Sequence, residues 1–339
     1  MQAVIQTGPG TLQLTENVPK PSVEPGSRKV LVKVHAVALN HSDWKMVDFS
    51  AKPGAISGYD MAGVLEAIDD SMNSDLAVGD RVLGVTSIHG GAFAEYVVTD
   101  GDLLVKIPEN MDFQHAASYG VGIVTTGLAL YGNECLALNW PNTDGTGSAA
   151  PQKTRVGPRG WSGGDALTDN DNETPRIPVL VYGASTSTGT LAIQLLQLSG
   201  YEPIAVCSPH NFGLVQSRGA SKCFDYHSQG CGAMIKQYTH NRLEYALDCI
   251  TTASSMRLCY EAIGATGGNG EFARGAKPED RKLAEKFVKI AEKLIEKGRL
   301  KAHPTMLKSG GLGGIASSID LLRKGKVSGS KLVFDVVGN

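Results

Sequence analysis

Residues 179–190 read VLVYGASTSTGT, a short apolar run that passes through a glycine-bearing turn into the first residues of a helix-period segment. The segments that follow, LAIQLLQLSG, PIAVCS and FGLVQSRGA, keep alternating between strand-like and helix-like periodicity. Parallel strands need crossover helices, and strands buried on both faces read as continuous apolar runs, so this grammar predicts a doubly wound parallel sheet covered by helices. Gly183 and Gly189 in the turn would leave amide donors free at a helix N-terminus, where a pyrophosphate fits. The spacing departs from GxGxxG, and taken alone the turn also suits an ordinary strand-to-helix connection.

The next strand, PIAVC, ends in Ser208, Pro209, His210 and Asn211, where the adenosine ribose of a dinucleotide would lie. No Asp or Glu stands there to bind a 2′-hydroxyl or repel a 2′-phosphate, which favours NADPH. Arg218 and Tyr226 are candidates to support that phosphate, with Arg218 reading equally well as a solvated helix residue.

Upstream, residues 1–138 are β-rich: VLVKVHAVA, MAGVLEAI and AEYVVT are strand-like, and turns such as KPG and VGDRV separate them. Residues 139–176 are polar and dense in Gly, Pro, Ser and Asp, and read as a long mobile loop inserted before the sheet unit of residues 177–277. Residues 278–339 open with an amphipathic helix carrying Leu283, Phe287, Ile290, Leu294 and Ile295 on one side, starting at Pro278 and stopping at Gly298. A second helix and the strand KLVFDV follow, and are expected to pack back on the first unit.

At 339 residues with 42% apolar content, the chain is long enough for two domains. Basic and acidic residues nearly cancel, 32 against 34, with no basic block, so nucleic acid is not an expected partner. Neither a leader nor a run of 18 apolar residues is seen, which places the chain in the cytoplasm and off the membrane. Six scattered cysteines without a CxxC pair read as reduced structural thiols.

Taken in order, AVALNHSDWKM, GYDMAGVL, VGDRVLG, GAFAEYVV, GIVTTGLAL, LVYGASTSTGT, CSPHNF, SRGA, FDY, YALDCIT, AIGATGG and KVSGSKLV resemble the medium-chain dehydrogenase/reductase superfamily over nearly the whole chain. CSPHNF, YALDCIT and the polar insertion resemble the trans-acting enoyl reductases that serve fungal highly reducing polyketide synthases. The resemblance implies a GroES-like β-rich catalytic domain beside a Rossmann domain. Its implied activity is NADPH-dependent reduction of an enoyl thioester on the synthase's acyl carrier domain, by a monomer.

Zinc members place Cys before the His of the first motif and His-Glu after the glycine of the second. Here Asn40 precedes His41, and Tyr59 and Asp60 follow Gly58, so a tetrahedral zinc site is not expected and His41 reads as a hydrogen-bonded structural or cofactor-facing residue. Without that Lewis acid, reduction of an activated carbon-carbon double bond remains feasible.

By resemblance, Lys45 and Thr125 are catalytic candidates, Lys45 to stabilise the enolate or to deliver the proton, although Lys45 could equally be an exposed lysine and Thr125 a helix cap. Ser42, Asp43, Trp44 and Lys45 line the cofactor, as do Gly183, Ser185, Thr186, Ser187, Thr188, Ile263, Gly264, Val327 and Ser328. Substrate contacts fall on Val124, Thr125, Thr126, Gly127, Leu128, Ala129, Leu130 and Tyr131.

One departure stands out. After Gly268 the chain reaches its amphipathic helix through only NGEFARGAK, whereas the family has a further strand and a pocket segment there. This departure favours the alternative of an impaired NADPH-binding accessory of a synthase; a free-standing quinone or alkenal reductase of the same superfamily is the other alternative.

Overall fold

The computed structural model describes residues 1–72, 75–86, 91–144, 176–263 and 278–336, which build two α/β units around a mixed and a parallel sheet. The first unit runs β1 (Ala3–Gly8), β2 (Thr11–Thr15), β3 (Lys29–Ala38), α1 (His41–Phe49), β4 (Asp60–Ile68), β5 (Arg81–Val85), β6 (Tyr96–Asp100) and β7 (Val105–Lys106). Helices α2 (Phe113–Ala117) and α3 (Gly120–Tyr131) follow. The second runs β8 (Pro178–Tyr182), α4 (Ser187–Leu198), β9 (Glu202–Val206), α5 (Phe212–Ser217), β10 (Lys222–Phe224), α6 (Cys231–Tyr238), β11 (Tyr245–Asp248) and α7 (Ala253–Ala262). The chain ends with α8 (Pro278–Glu296), β12 (Thr305–Lys308), α9 (Ile315–Arg323) and β13 (Lys331–Asp335).

The three strands expected in the first unit fall on β3, β4 and β6. β3 is the hub: β4 lies along one edge, while β6 and β13 share the other, β13 pairing antiparallel with Val333 opposite Ala38. The C-terminal strand thus returns to the first unit's sheet. Sequence reading missed the β1–β2 ribbon, and it took VGDRV as a turn where only Gly79, at φ 94°, turns and β5 starts at Arg81.

In the parallel sheet the order is β10-β9-β8-β11, and every residue of β8 is buried because helices cover both faces. The cores differ in composition on the two sides: Val179 and Val181 pack with α4, α3 and α8, while Leu180 and Tyr182 pack with α6 and α7. Among the described residues the sheet ends at β11, which pairs only with β8. The expected shortening after Gly268 lies outside the described residues.

Helix α8 buries Phe287, Val288, Ala291, Leu294 and Ile295 and stops before Gly298, at φ 65°. Its seat on α3 needs a glycine: a Cβ at Gly127 would stand 2.2 Å from the Phe287 ring. Trp140 stacks on Tyr131 at 4.9 Å, so the start of the expected mobile loop is docked, and residues 145–175 lie outside the described residues. The six cysteines form no disulfide among the described residues, and burial pushes Cys207 up to about 12. No described helix is long and apolar enough to cross a membrane.

Candidate active site

The turn between β8 and α4 is shaped by two glycines. Gly183 sits at φ 70°, in the left-handed region that a side chain disfavours. A Cβ at Gly189 would lie 2.4 Å from the Gly183 carbonyl oxygen, so only glycine lets the helix start this close to the strand end. Thr186 caps α4, its Oγ1 accepting the Gly189 N–H at 3.0 Å. Helix geometry leaves the amides of Ser187 and Thr188 without intrahelical partners, ready for an anion.

Around that turn the sequence-predicted residues converge. Asn211 donates from Nδ2 to Ser185 Oγ at 3.1 Å and to Ser328 Oγ at 2.9 Å, and His210 Nε2 lies 3.1 Å from Ser328 Oγ. The loop after α9 is therefore tied to the ends of β8 and β9, and Val327 is half-buried against the first unit's core. Ser208 Oγ and Tyr226 Oη are 3.1 Å apart, and Pro209 is exposed beside them. This is a neutral donor pair at the end of β9.

Other expectations need correction. Arg218 is not part of this cluster: its Nη2 donates to the Ala302 carbonyl at 2.8 Å, and its partial burial lowers its pKa. It secures the C-terminal segment instead. The Ile263 side chain is turned into the core with Leu180 and Phe224, and Gly264 lies outside the described residues.

On the facing unit, α1 presents Lys45 to solvent and turns Asp43 inward. Lys45 Nζ lies 5.8 Å from the Trp44 ring, and no carboxylate pairs with it among the described residues. Trp44 donates Nε1–H to His41 Nδ1 at 3.2 Å, and burial with the Lys45 ammonium lowers the His41 pKa, so this imidazole is neutral. Ser42 Oγ is buried without a partner.

Asp43 is 1% exposed and so makes no side-chain contact in an open cleft. Its Oδ2 accepts the Asn40 N–H at 2.5 Å while Oδ1 has no partner. Burial pushes this carboxyl up to about 8; the Asn40 N–H and Lys331 oppose the shift, and Asp60 adds to it. The folded chain then keeps a proton that the unfolded chain has lost, so stability falls as pH rises from the ordinary carboxylate range to about 8. Asp43→Asn should flatten that slope, with a melting temperature that gains on the parent's as pH is raised.

Helix α3 divides the substrate candidates by its own period. Thr125 is exposed and Val124, Leu128 and Ala129 are half-buried, but Thr126, Gly127, Leu130 and Tyr131 face the core. The Thr126 hydroxyl bonds back to the Gly122 carbonyl, and Tyr131 Oη meets Ser199 Oγ at 3.0 Å. Those four are packing residues.

Sequence reasoning missed the ion pair beneath α3. Lys331, at the start of β13, is 4% exposed and bonds Asp60 Oδ2 on β4, whose carboxylate is fully buried. Asp60 Oδ1 accepts the Val121 N–H at 2.7 Å, and Lys331 also reaches the Ser118 carbonyl at 3.3 Å. A lysine opening an otherwise apolar strand was the available signal. A second buried link, Thr190 Oγ1 to His303 Nδ1 at 2.9 Å, joins α4 to the C-terminal segment, and burial takes that imidazole down to about 3.

Residues 26–109 match the model of the alcohol dehydrogenase GroES-like domain. Across all of both chains, the protein is 90% identical to the trans-enoyl reductase BOA5 of Botryotinia fuckeliana (strain B05.10). That alignment spans 375 positions against 339 residues here, so at least 36 of its positions have no counterpart in this chain. It is 36% identical to the trans-enoyl reductase caaB of Aspergillus niger (strain ATCC MYA-4892 / CBS 513.88 / FGSC A1513), over 98% of this chain and 96% of the relative. The crystal structure of CurK enoyl reductase shares the fold, with a TM-score of 0.70 at 17% identity over 98% of each chain. The chain belongs to the trans-enoyl reductase family of the medium-chain dehydrogenase/reductase superfamily.

Proposed function

We propose that this chain reduces the α,β-double bond of an enoyl thioester carried by a polyketide synthase's acyl carrier domain, with NADPH as the reductant, in the cytoplasm. The observation that carries the cofactor assignment is the β9 terminus, where the Ser208–Tyr226 hydroxyl pair stands in the loop that Asn211 ties to Ser185 of the α4 turn and no carboxylate takes its place. Both hydroxyls can donate to a 2′-phosphate, and the free amides of Ser187 and Thr188 suit the pyrophosphate.

When bound, the dihydronicotinamide supplies hydride to the β-carbon. Charge then gathers on the thioester oxygen, and the unpaired Lys45 ammonium can stabilise it there, with the exposed Thr125 hydroxyl orienting the acyl group. Zinc does not fit the residues present: Asn40 and Tyr59 are not soft donors, and both Asp60 oxygens are taken by Lys331 and Val121.

Mixing the protein, NADPH and a carrier-bound enoyl thioester should consume the cofactor's absorbance; small quinones should react more slowly. The reverse order of rates would favour a free-standing quinone reductase. Ser208→Asp tests the cofactor assignment separately. It should weaken NADPH binding about 100-fold while leaving NADH nearly unchanged, since a carboxylate repels a phosphate at short range. Calorimetric titration of both nucleotides reads this out.

A second reading has its own support: among the described residues the parallel sheet ends at β11, and this with the relative's additional positions favours a synthase-associated NADPH-binding accessory. NADPH binding without turnover on any enoyl thioester would identify that role.

A further inference from the structure

The proposed reduction needs a proton as well as a hydride, and placing Lys45 on the thioester oxygen leaves the source of the α-carbon's proton open. Between α1 and residues 56–59 lies a pocket of about 30 Å³ lined by Gln6, Asp43, Met46, Ile56, Ser57, Gly58 and Tyr59. A water needs about 10–15 Å³ and two or more polar partners, and this pocket offers both. Asp43 Oδ1 and Ser57 Oγ are buried there without partners, and the Tyr59 side chain is half-buried beside them.

We propose that the Asp43 carboxyl group is the proton reservoir of the reduction, delivering its proton through a water held in this pocket to the α-carbon of the substrate. The inference rests on the enoyl-reductase reading.

The groups that face Asp43 agree with a protonated resting state. The Asn40 N–H engages only Oδ2; Asp60 on β4 raises the cost of a second negative charge, and Lys331 on β13, whose ammonium would lower it, is already bonded to Asp60. Tyr59 is neutral, its own pKa raised by burial and by Asp43. On α1 itself, His41 is neutral and Lys45 points to solvent.

The step balances. Hydride adds to the β-carbon and the carbon-carbon π electrons move to the enolate. The enolate's α-carbon takes a proton from the water, and the water takes one from Asp43. Substrate gains hydride and proton, NADPH is oxidised, and solvent returns the proton to Asp43 before the next turnover.

Asp43→Asn keeps a neutral side chain of the same shape, so the fold should survive. It should lower kcat about 100-fold, the scale of general-acid catalysis, with NADPH affinity and thioester KM unchanged. The parent's kcat should fall as pH rises past about 8, because the acid form is lost, and the variant should show no such limb. Ser57→Val, which fills the pocket, should lower kcat while leaving the carboxyl in place.

An infrared difference spectrum of parent minus Asp43→Asn reads protonation without turnover. A protonated-carboxyl band at neutral pH that vanishes in alkali is expected. Absence of the band, unchanged kcat in Asp43→Asn, or an unaffected Ser57→Val would each overturn the relay. A band present in a chain that reduces no enoyl thioester would instead overturn the reductase reading, and the relay with it.

Discussion

Lys331→Met should cost the protein about 3–5 kcal/mol of unfolding free energy, because it strands a fully buried Asp60 carboxylate without its counter-charge. The loss should appear as a lower denaturant midpoint with the slope unchanged, since the surface exposed on unfolding is the same. Adding Asp60→Asn in the same chain should restore most of it. The amide oxygen can still accept the Val121 N–H, and no unpaired charge remains. A single variant as stable as the parent would mean that water reaches this pair, contrary to its 4% and 0% side-chain exposure. The pair holds the first turn of α3 against β4 and β13, so the single variant should also loosen the helix that carries Thr125.

Gly189→Ala should reduce NADPH affinity on the order of 100-fold. The added methyl would lie 2.4 Å from the Gly183 carbonyl oxygen and 2.7 Å from that of Ala184. Neither is the flexible end of a side chain, so the turn itself has to open. Two amide donors to a charged phosphate are then misdirected, each worth about 1.5–3 kcal/mol, and 1.4 kcal/mol is a factor of ten. Titration calorimetry measures the loss directly, and circular dichroism checks that the helix remains. An unchanged dissociation constant would show that the cofactor does not use this turn.

Much of the architecture was legible because it is written in local period. The fully buried β8 reads as an unbroken apolar run, α8 shows a one-sided apolar stripe, and the left-handed Gly183 and Gly298 mark a turn and a helix stop. Strands of mixed exposure were harder: β5 begins directly after a glycine turn, so turn chemistry masked it. The candidates Ser208 to Asn211 could be named because one loop carries them, and the structure brings Ser185 and Ser328, also named from the sequence, into hydrogen bonds with Asn211.

For other candidates the partners lay in distant segments. Arg218 reads as a phosphate ligand until the Ala302 carbonyl, 84 residues later, is placed against it. Thr126 and Tyr131 belong to the same helix as Thr125, yet the α3 period buries them, Thr126 bonding back to Gly122 and Tyr131 packing on Phe287 of α8. Asp43 stands in the same tetrapeptide as Lys45, yet α1 buries the one and leaves the other exposed.

The sequence by itself determined the two kinds of sheet, the glycine turn and the absence of a carboxylate after β9, because these depend on side-chain period and on backbone conformations that neighbouring residues impose. Only the tertiary structure decided which polar groups lose contact with water. Asp60 and Lys331 stand 271 residues apart, and the pKa of Asp43 is raised because the packed chain takes its carboxyl out of water. Desolvation and charge pairing depend on what the rest of the chain packs around a residue, and short-range periodicity carries no record of that.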